Sequence, residues 1–152
     1  MQLSRFTDYT LRVLLYVAIN DKQLATLGEI AEFYNISVEH LRKVVHALAK
    51  SGYLRTFRGK NGGIELAREP DDIQLYDVVA QSEGIKPLID CGGSQCKLAG
   101  FCTLQDVLAE AQHAFLDTLR NYTLADMLSN KTMQRALIVS DAHAHLAESS
   151  IQ

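Results

Sequence analysis

Cys91, Cys96 and Cys102 are the three cysteines of this chain, and they fall in one stretch, Cys91-Gly-Gly-Ser-Gln-Cys96-Lys-Leu-Ala-Gly-Phe-Cys102. An odd number of thiols packed within twelve residues does not build the disulfide framework of a secreted domain. Thiols so placed read as metal ligands or redox-reactive groups. Structural zinc sites use close pairs, with a second pair elsewhere in the chain, and this sequence has no second pair. An iron-sulfur cluster is several ångströms across, so the wider C-x4-C-x5-C spacing suits it. Gly92, Gly93 and Gly100 leave room for backbone N–H groups to approach sulfur. Zinc and free redox thiols stay open as alternatives on spacing alone. A helix is predicted to follow, with Thr103 as its cap and Asp106 three residues on, which sets the positive end of a helix dipole beside Cys102.

Something must position that loop, and the preceding residues supply it. From Phe6 to Asn20 the apolar residues Phe6, Leu11, Leu14, Leu15 and Ala18 recur near helical spacing, with Thr7 placed as a cap and Asp8 in the first turn. A shorter helix is predicted over Leu27 to Tyr34. Asn35-Ile36 makes a turn, and Ser37 caps a third helix that carries Leu41, Val44, Val45 and Leu48 inward and stops at Ser51-Gly52. Two short helices across a tight turn form a helix-turn-helix, whose second member enters the major groove of DNA. Its outward face would present Ser37, Val38, Glu39, Arg42, Lys43 and His46. Tyr53 to Arg58 and Ile64 to Ala67 are β-forming runs separated by Gly59-Lys60-Asn61-Gly62-Gly63, the pattern of a hairpin. Placed there it is a wing, with Arg55, Arg58, Lys60 and Asn61 facing phosphates and glycines that let its backbone come close to the duplex.

Composition agrees. Residues 1 to 68 carry ten Lys or Arg against six Asp or Glu, and the remainder carry five against twelve. The basic half therefore suits nucleic acid. With 47% hydrophobic and 22% charged residues the chain reads as globular. Its longest strongly apolar run, Val13 to Ile19, is seven residues, so neither a membrane span nor a secretory signal is predicted. Cytoplasmic residence follows as an expectation. No hydrolytic or nucleophilic constellation is present, so no enzyme is expected.

After an amphipathic segment from Asp72 to Ser82, the chain passes through the cysteine loop into a stripe of Leu104, Leu108, Ala111, Phe115, Leu119 and Tyr122, about five helical turns long. So small a domain has little surface to cover such a helix, and a second copy is the natural partner. The expected architecture is mainly α. Residues 1–83 make a winged helix-turn-helix with a two-stranded wing, and 84–102 a cluster-binding loop. Residues 103–130 make a long dimerisation helix and a short following helix, and 131–152 a flexible tail in which His143 and His145 are not ligands. A homodimer would present two recognition helices to a palindromic operator.

Four motifs occur in order: Met1-Gln-Leu-x-x-Phe6-Thr-Asp8-Tyr9, the wing Arg58-Gly-Lys-Asn-Gly-Gly-Ile64, the three-cysteine loop, and Asn121-Tyr-Thr-Leu-Ala-Asp126. Together they resemble the winged-helix iron-sulfur transcription regulators over residues 1 to about 130. Within that family they are most similar to the nitric-oxide-sensing branch. The resemblance implies a homodimeric repressor that holds operator DNA while its cluster is intact and releases it on nitrosylation. It favours a 4Fe-4S cluster, with 2Fe-2S also compatible. Other members place a histidine three residues after the last cysteine, where this chain has Gln105. In the nitric-oxide branch the fourth ligand matches Asp8, contributed by the partner chain. A zinc- or thiol-based regulator, and an iron-sulfur carrier whose winged helix docks a protein, are the competing readings.

Overall fold

The computed structural model describes residues 2–21, 23–93 and 96–138. His143, His145 and the tail from Ser140 to Gln152 lie outside the described residues. The architecture is mostly helical with one two-stranded antiparallel sheet. Helix α1 spans Arg5–Ile19, α2 Leu27–Tyr34 and α3 Val38–Lys50. Strands β1 (Leu54–Phe57) and β2 (Gly63–Leu66) pair in the register Leu54↔Leu66 to Phe57↔Gly63. A short 3-10 turn at Pro70–Asp72 leads to α4 (Leu75–Glu83), and the cysteine loop leads to α5 (Thr103–Leu119) and α6 (Leu124–Leu128). Among the described residues no helix is long and apolar enough to cross a membrane.

Local chemistry explains these boundaries. Ser37 caps α3 by accepting the His40 N–H, and Thr26 caps α2 in a reciprocal box with Glu29. Asn35 ends α2 with φ +51°, a conformation that asparagine tolerates. At α1 the cap is Ser4 and not Thr7; Thr7 is buried in the first turn, where it shares a hydrogen bond with the Ser4 hydroxyl. The inward face of α1 is also rotated from the predicted stripe. Val13, Leu14, Val17 and Ala18 are buried, whereas Phe6 is 38% exposed. Likewise Thr103 is the first residue of α5 and Cys102 holds the cap position, with no side-chain capping bond.

Helix α1 is the hub, packing on α3, α4, α6 and β2. Tyr16, Leu14, Ile30, Leu41, Val44 and Ile73 are fully enclosed there, each worth roughly 1.5 to 3 kcal/mol of burial. The Asn121-to-Asp126 motif acquires a structural reason: it returns the chain to this core. Leu75 N–H donates to the Tyr122 carbonyl at 3.0 Å and Leu124 N–H to the Ile73 carbonyl at 2.8 Å, while Thr123 and Asp126 cap α6 reciprocally. The Thr123 hydrogen bonds hold the Asp126 carboxyl below its ordinary value. The core also continues past residue 130, where sequence alone gave a flexible tail. Residues 131–138 are helical, Asn130 accepts the N–H groups of Thr132 and Met133 as a cap, and Leu137 is 3% exposed.

Candidate metal centre and nucleic-acid interface

The cysteine loop begins where α4 ends. Gly84 leaves the helix at φ +65°, and Gln112 of α5 donates to the Lys86 carbonyl, so the loop runs back along α5. Ile85, Pro87, Leu88 and Ile89 line that face of α5 with Leu108 and Gln112. All three thiols are free, with Cys96 exposed and Cys91 and Cys102 half-buried. Partial desolvation, and then the charges of Cys96, Cys102 and Asp90, push the Cys91 thiol up. Among the described residues, however, no three Cys, His, Asp or Glu side chains gather closely enough to hold a single metal ion. Three thiols on one loop offer soft sulfur donors, the donor chemistry that an iron-sulfur core takes.

One expected detail changes. The N–H of Gly93 donates to Asp90 Oδ1 at 2.8 Å instead of standing free for sulfur, and a Cβ at Gly93 would run into that carboxylate. Asp8 sits on the first turn of α1, ion-paired with Arg12 at 2.8 Å, and the chain does not itself bring it among the three cysteines. Nearby, the Ser4 N–H donates to Glu83 Oε1, joining the start of α1 to the end of α4. Partial burial works to raise the Glu83 carboxyl, but hydrogen bonds from Thr7 and from the Ser4 backbone and hydroxyl outweigh it and hold the carboxyl below its ordinary value.

On α3 the buried positions Leu41, Val44, Val45 and Leu48 leave Ser37, Val38, Glu39, Arg42, Lys43 and His46 all exposed. Glu39 and Arg42 pair at 2.9 Å one turn apart. That pair is solvent-exposed and worth a few tenths of a kcal/mol, weak enough to yield to a base or phosphate. His40, which helical periodicity alone does not single out, shares the same exposed turn and lies beside Tyr9, ring centres 6.3 Å apart. Arg58, Lys60 and Asn61 form the exposed tip of the wing, closed by a Gly62 N–H to Gly59 carbonyl bond of 3.0 Å. Arg55 stands differently: it faces Glu65 across the strands at 3.5 Å, so its charge is partly answered at the base of the wing. The glycines Gly62 and Gly63 have an internal reason as well. A Cβ at Gly62 would strike the Phe57 carbonyl, and one at Gly63 would meet Leu24 Cβ at 2.6 Å.

A helix-turn-helix with an exposed second helix, a basic-tipped wing beside it and a thiol loop attached through α4 define a winged-helix transcription regulator. The chain belongs to the Rrf2 family, iron-dependent transcriptional regulators, whose pattern matches residues 3–130. It is 43% identical over 142 residues to the HTH-type transcriptional regulator NsrR of Shouchella clausii, spanning 91% of this chain and 95% of that one. To NsrR of Geobacillus kaustophilus it is 42% identical over 142 residues, with 91% and 97% covered. Among solved structures, T. potens IscR superposes with a TM-score of 0.69 at 28% identity, over 84% of this chain and 86% of that one. CymR, the global cysteine regulator of B. subtilis, shares the fold with a TM-score of 0.71 at 24% identity, covering 85% and 97%. The two NsrR relatives are named as transcriptional regulators and not as enzymes.

Proposed function

We infer that this chain is a nitric-oxide-sensitive transcriptional repressor, working in the cytoplasm as a homodimer on palindromic operator DNA while an iron-sulfur cluster is held by Cys91, Cys96 and Cys102. The observation that carries this reading is the joining, in one small fold, of an accessible three-thiol loop to an exposed recognition helix and basic wing. Similarity to regulators named NsrR supports the choice of signal. Val38, Glu39, Arg42, Lys43 and His46 face base edges from α3, with Ser37 at its cap; Arg58, Lys60 and Asn61 bind phosphates, and Arg55 steadies the wing base. Three thiolates and the carboxylate of Asp8 of the partner subunit make four ligands, which suits 4Fe-4S and also 2Fe-2S. When bound, the cluster supplies iron that reacts with nitric oxide.

The dimer is supported by what α5 leaves uncovered. Leu116 is its single buried residue, while Phe101 (73% exposed), Leu104 (61%) and Val107 (55%) stand in solvent beside the cysteine loop. Apolar side chains in such a run gain from a second copy. The test uses anaerobically purified chain, a palindromic duplex selected by it from a random pool, and iron and sulfide counts. Cluster-bearing protein should bind the duplex with a steep salt dependence and release it after nitric oxide, and Cys96→Ala should lose iron and tight binding yet remain a folded dimer. A colourless, zinc-bearing protein with unchanged duplex affinity in Cys96→Ala would establish the zinc or thiol alternative. Iron without salt-dependent binding to any duplex would establish the carrier.

A further inference from the structure

Arg68 lies just past β2, and its guanidinium closes the end of the recognition helix. Its Nε donates to the Gly52 carbonyl at 3.0 Å and its Nη2 to the Ser51 carbonyl at 3.2 Å. The guanidinium carbon also stands 4.7 Å from the centre of the Tyr53 ring. Ser51 is the C-cap of α3, and Gly52 follows it at φ +75°. The last carbonyls of a helix lack intrahelical partners and carry its negative dipole end. A planar cationic fork satisfies the cap carbonyl of Ser51 and the following carbonyl of Gly52 at once, which a single ammonium does less readily.

The grip falls where α3 becomes the wing. Tyr53 is 5% exposed; its N–H donates to the Leu48 carbonyl at 2.9 Å and its own carbonyl accepts the Ala67 N–H at 2.9 Å. A side chain rooted beyond the returning strand therefore clamps the point at which the outgoing strand leaves the helix. The wing reaches roughly 15 to 20 Å from Tyr53 at about 3.3 Å per strand residue. A swing of about ten degrees there would move its tip by about 3 Å, the length of a whole hydrogen bond.

The geometry points to Arg68 as a positioning residue for DNA recognition: it fixes the angle between recognition helix and wing, so that both engage the same stretch of duplex, and it makes no phosphate contact of its own. This role rests on the DNA-binding reading. Charge alone would group Arg68 with Arg58 and Lys60, but although exposed it spends two of its donor groups on the Gly52 and Ser51 carbonyls, and its guanidinium carbon lies over the Tyr53 ring. Their removal would leave the net basic charge of the wing tip in place while loosening its direction.

The experiment compares full-length, anaerobically purified wild type with Arg68→Gln, Arg68→Lys and Lys60→Ala. Amide hydrogen exchange is read without DNA. Affinity is read across a salt series for the selected palindromic duplex and for a random-sequence duplex of equal length, below the melting temperature of every variant. Arg68→Gln should speed exchange at the Tyr53 and Ala67 amides and weaken the selected duplex about tenfold, roughly one lost base contact. Its random-duplex affinity and salt slope should stay at wild-type values. Arg68→Lys should behave like Arg68→Gln despite its retained charge. Lys60→Ala should instead weaken both duplexes and flatten the slope by about one. A flattened slope in Arg68→Gln, or full rescue by Arg68→Lys, would show a phosphate contact and overturn the positioning role. So would a lowered melting temperature with an unchanged ratio of selected to random binding. If the amides loosen but wild type binds neither duplex, the clamp is real and the DNA-binding reading is what fails, taking the role in recognition with it.

Discussion

Gly63→Ala should loosen the wing from the body of the protein, and the structure gives the size of the effect. A Cβ at this position would lie 2.6 Å from Leu24 Cβ and 2.8 Å from the Ala25 carbonyl oxygen. Comfortable contact between carbon atoms is about 3.5 to 4.0 Å, so something must move by about 1 Å. What moves is tied to the wing by two hydrogen bonds: Ala25 N–H to the Ile64 carbonyl at 3.0 Å and Ile64 N–H to the Ala25 carbonyl at 2.7 Å. Overpacking costs about 1 to 3 kcal/mol, and each weakened hydrogen bond adds up to about 1 kcal/mol. Against this, alanine restricts the unfolded chain and returns about 0.4 to 1 kcal/mol. The net expectation is a loss of about 1 to 3 kcal/mol, read by urea denaturation of the full chain. Gly59→Ala is the control, since Gly59 has open space around it but φ +102°; it should cost about 1 kcal/mol of backbone strain without disturbing the Ala25–Ile64 bridge. A denaturation midpoint unchanged in Gly63→Ala would falsify the packing argument.

Leu137→Ala should cost about 2 to 5 kcal/mol, because its side chain is enclosed in the core; calorimetry showing no shift would return residues 131–138 to a loose tail. For Glu83, the hydrogen bonds that lower its carboxyl stabilise the charged form, so that contribution is present above the ordinary value of 4.5 and is lost as the pH falls through the lowered one. Wild type should therefore lose more stability than Glu83→Gln between pH 4.5 and the acid limit, and parallel pH profiles would refute the clamp on Ser4. If Asp8 is the fourth ligand, Asp8→Ala should reduce iron content and uncouple the cluster from operator affinity, and Asp8→Cys should slow the response to nitric oxide, measured by stopped-flow absorbance. Wild-type behaviour in both would leave Asp8 as a helix-start residue.

The helix-turn-helix was legible because its signals are local. Asn35 and Ser37 mark the turn, and Leu41, Val44, Val45 and Leu48 repeat on one face. The hairpin was legible for the same reason, although Gly63 proves to be a strand residue and not part of the turn. What escaped was settled by distant partners. Ser4 displaces Thr7 as the cap of α1 by accepting the Thr7 N–H at 3.2 Å, and its own N–H is taken by Glu83, 79 residues on. Arg55 loses part of its freedom to Glu65 only once the register is known. Periodicity makes one stripe of α5, yet the helix divides its apolar residues: Leu108 faces its own loop, Leu116 turns inward beside α4, and Leu104 stands in solvent. Asn130 did carry a capping signal for residues 131–138, but with only Met133 and Leu137 to mark a face, the periodicity was too short to read. The thiol loop was visible from spacing, whereas the bond from Gly93 to Asp90 depends on a turn geometry that spacing does not encode.

The bond between Asp8 and Arg12 bears on whether that carboxylate is available to a partner chain. The pair is exposed on both sides, at 43% and 44% of the side chains, and spaced one helical turn apart. Such pairs contribute about 0.3 to 0.5 kcal/mol, and the N-terminal position of Asp8 adds about 0.3 to 1 kcal/mol through the helix dipole. The second contribution persists wherever the carboxylate turns, so only the first opposes its departure. An opposition of half a kcal/mol changes an equilibrium about twofold, too little to keep a carboxylate from a metal. Arg12 is also not stranded by that departure. Its guanidinium lies 5.5 Å from the ring centre of Tyr34, whose hydroxyl is pushed up to about 12 by burial, so the ring stays neutral. Tyr34 is the last residue of α2, immediately before the turn into the recognition helix. Whatever engages Asp8 therefore changes the load on a side chain resting against the helix-turn-helix itself, and in the proposed dimer this contact would connect the Asp8 face of α1 to the proposed DNA-reading element.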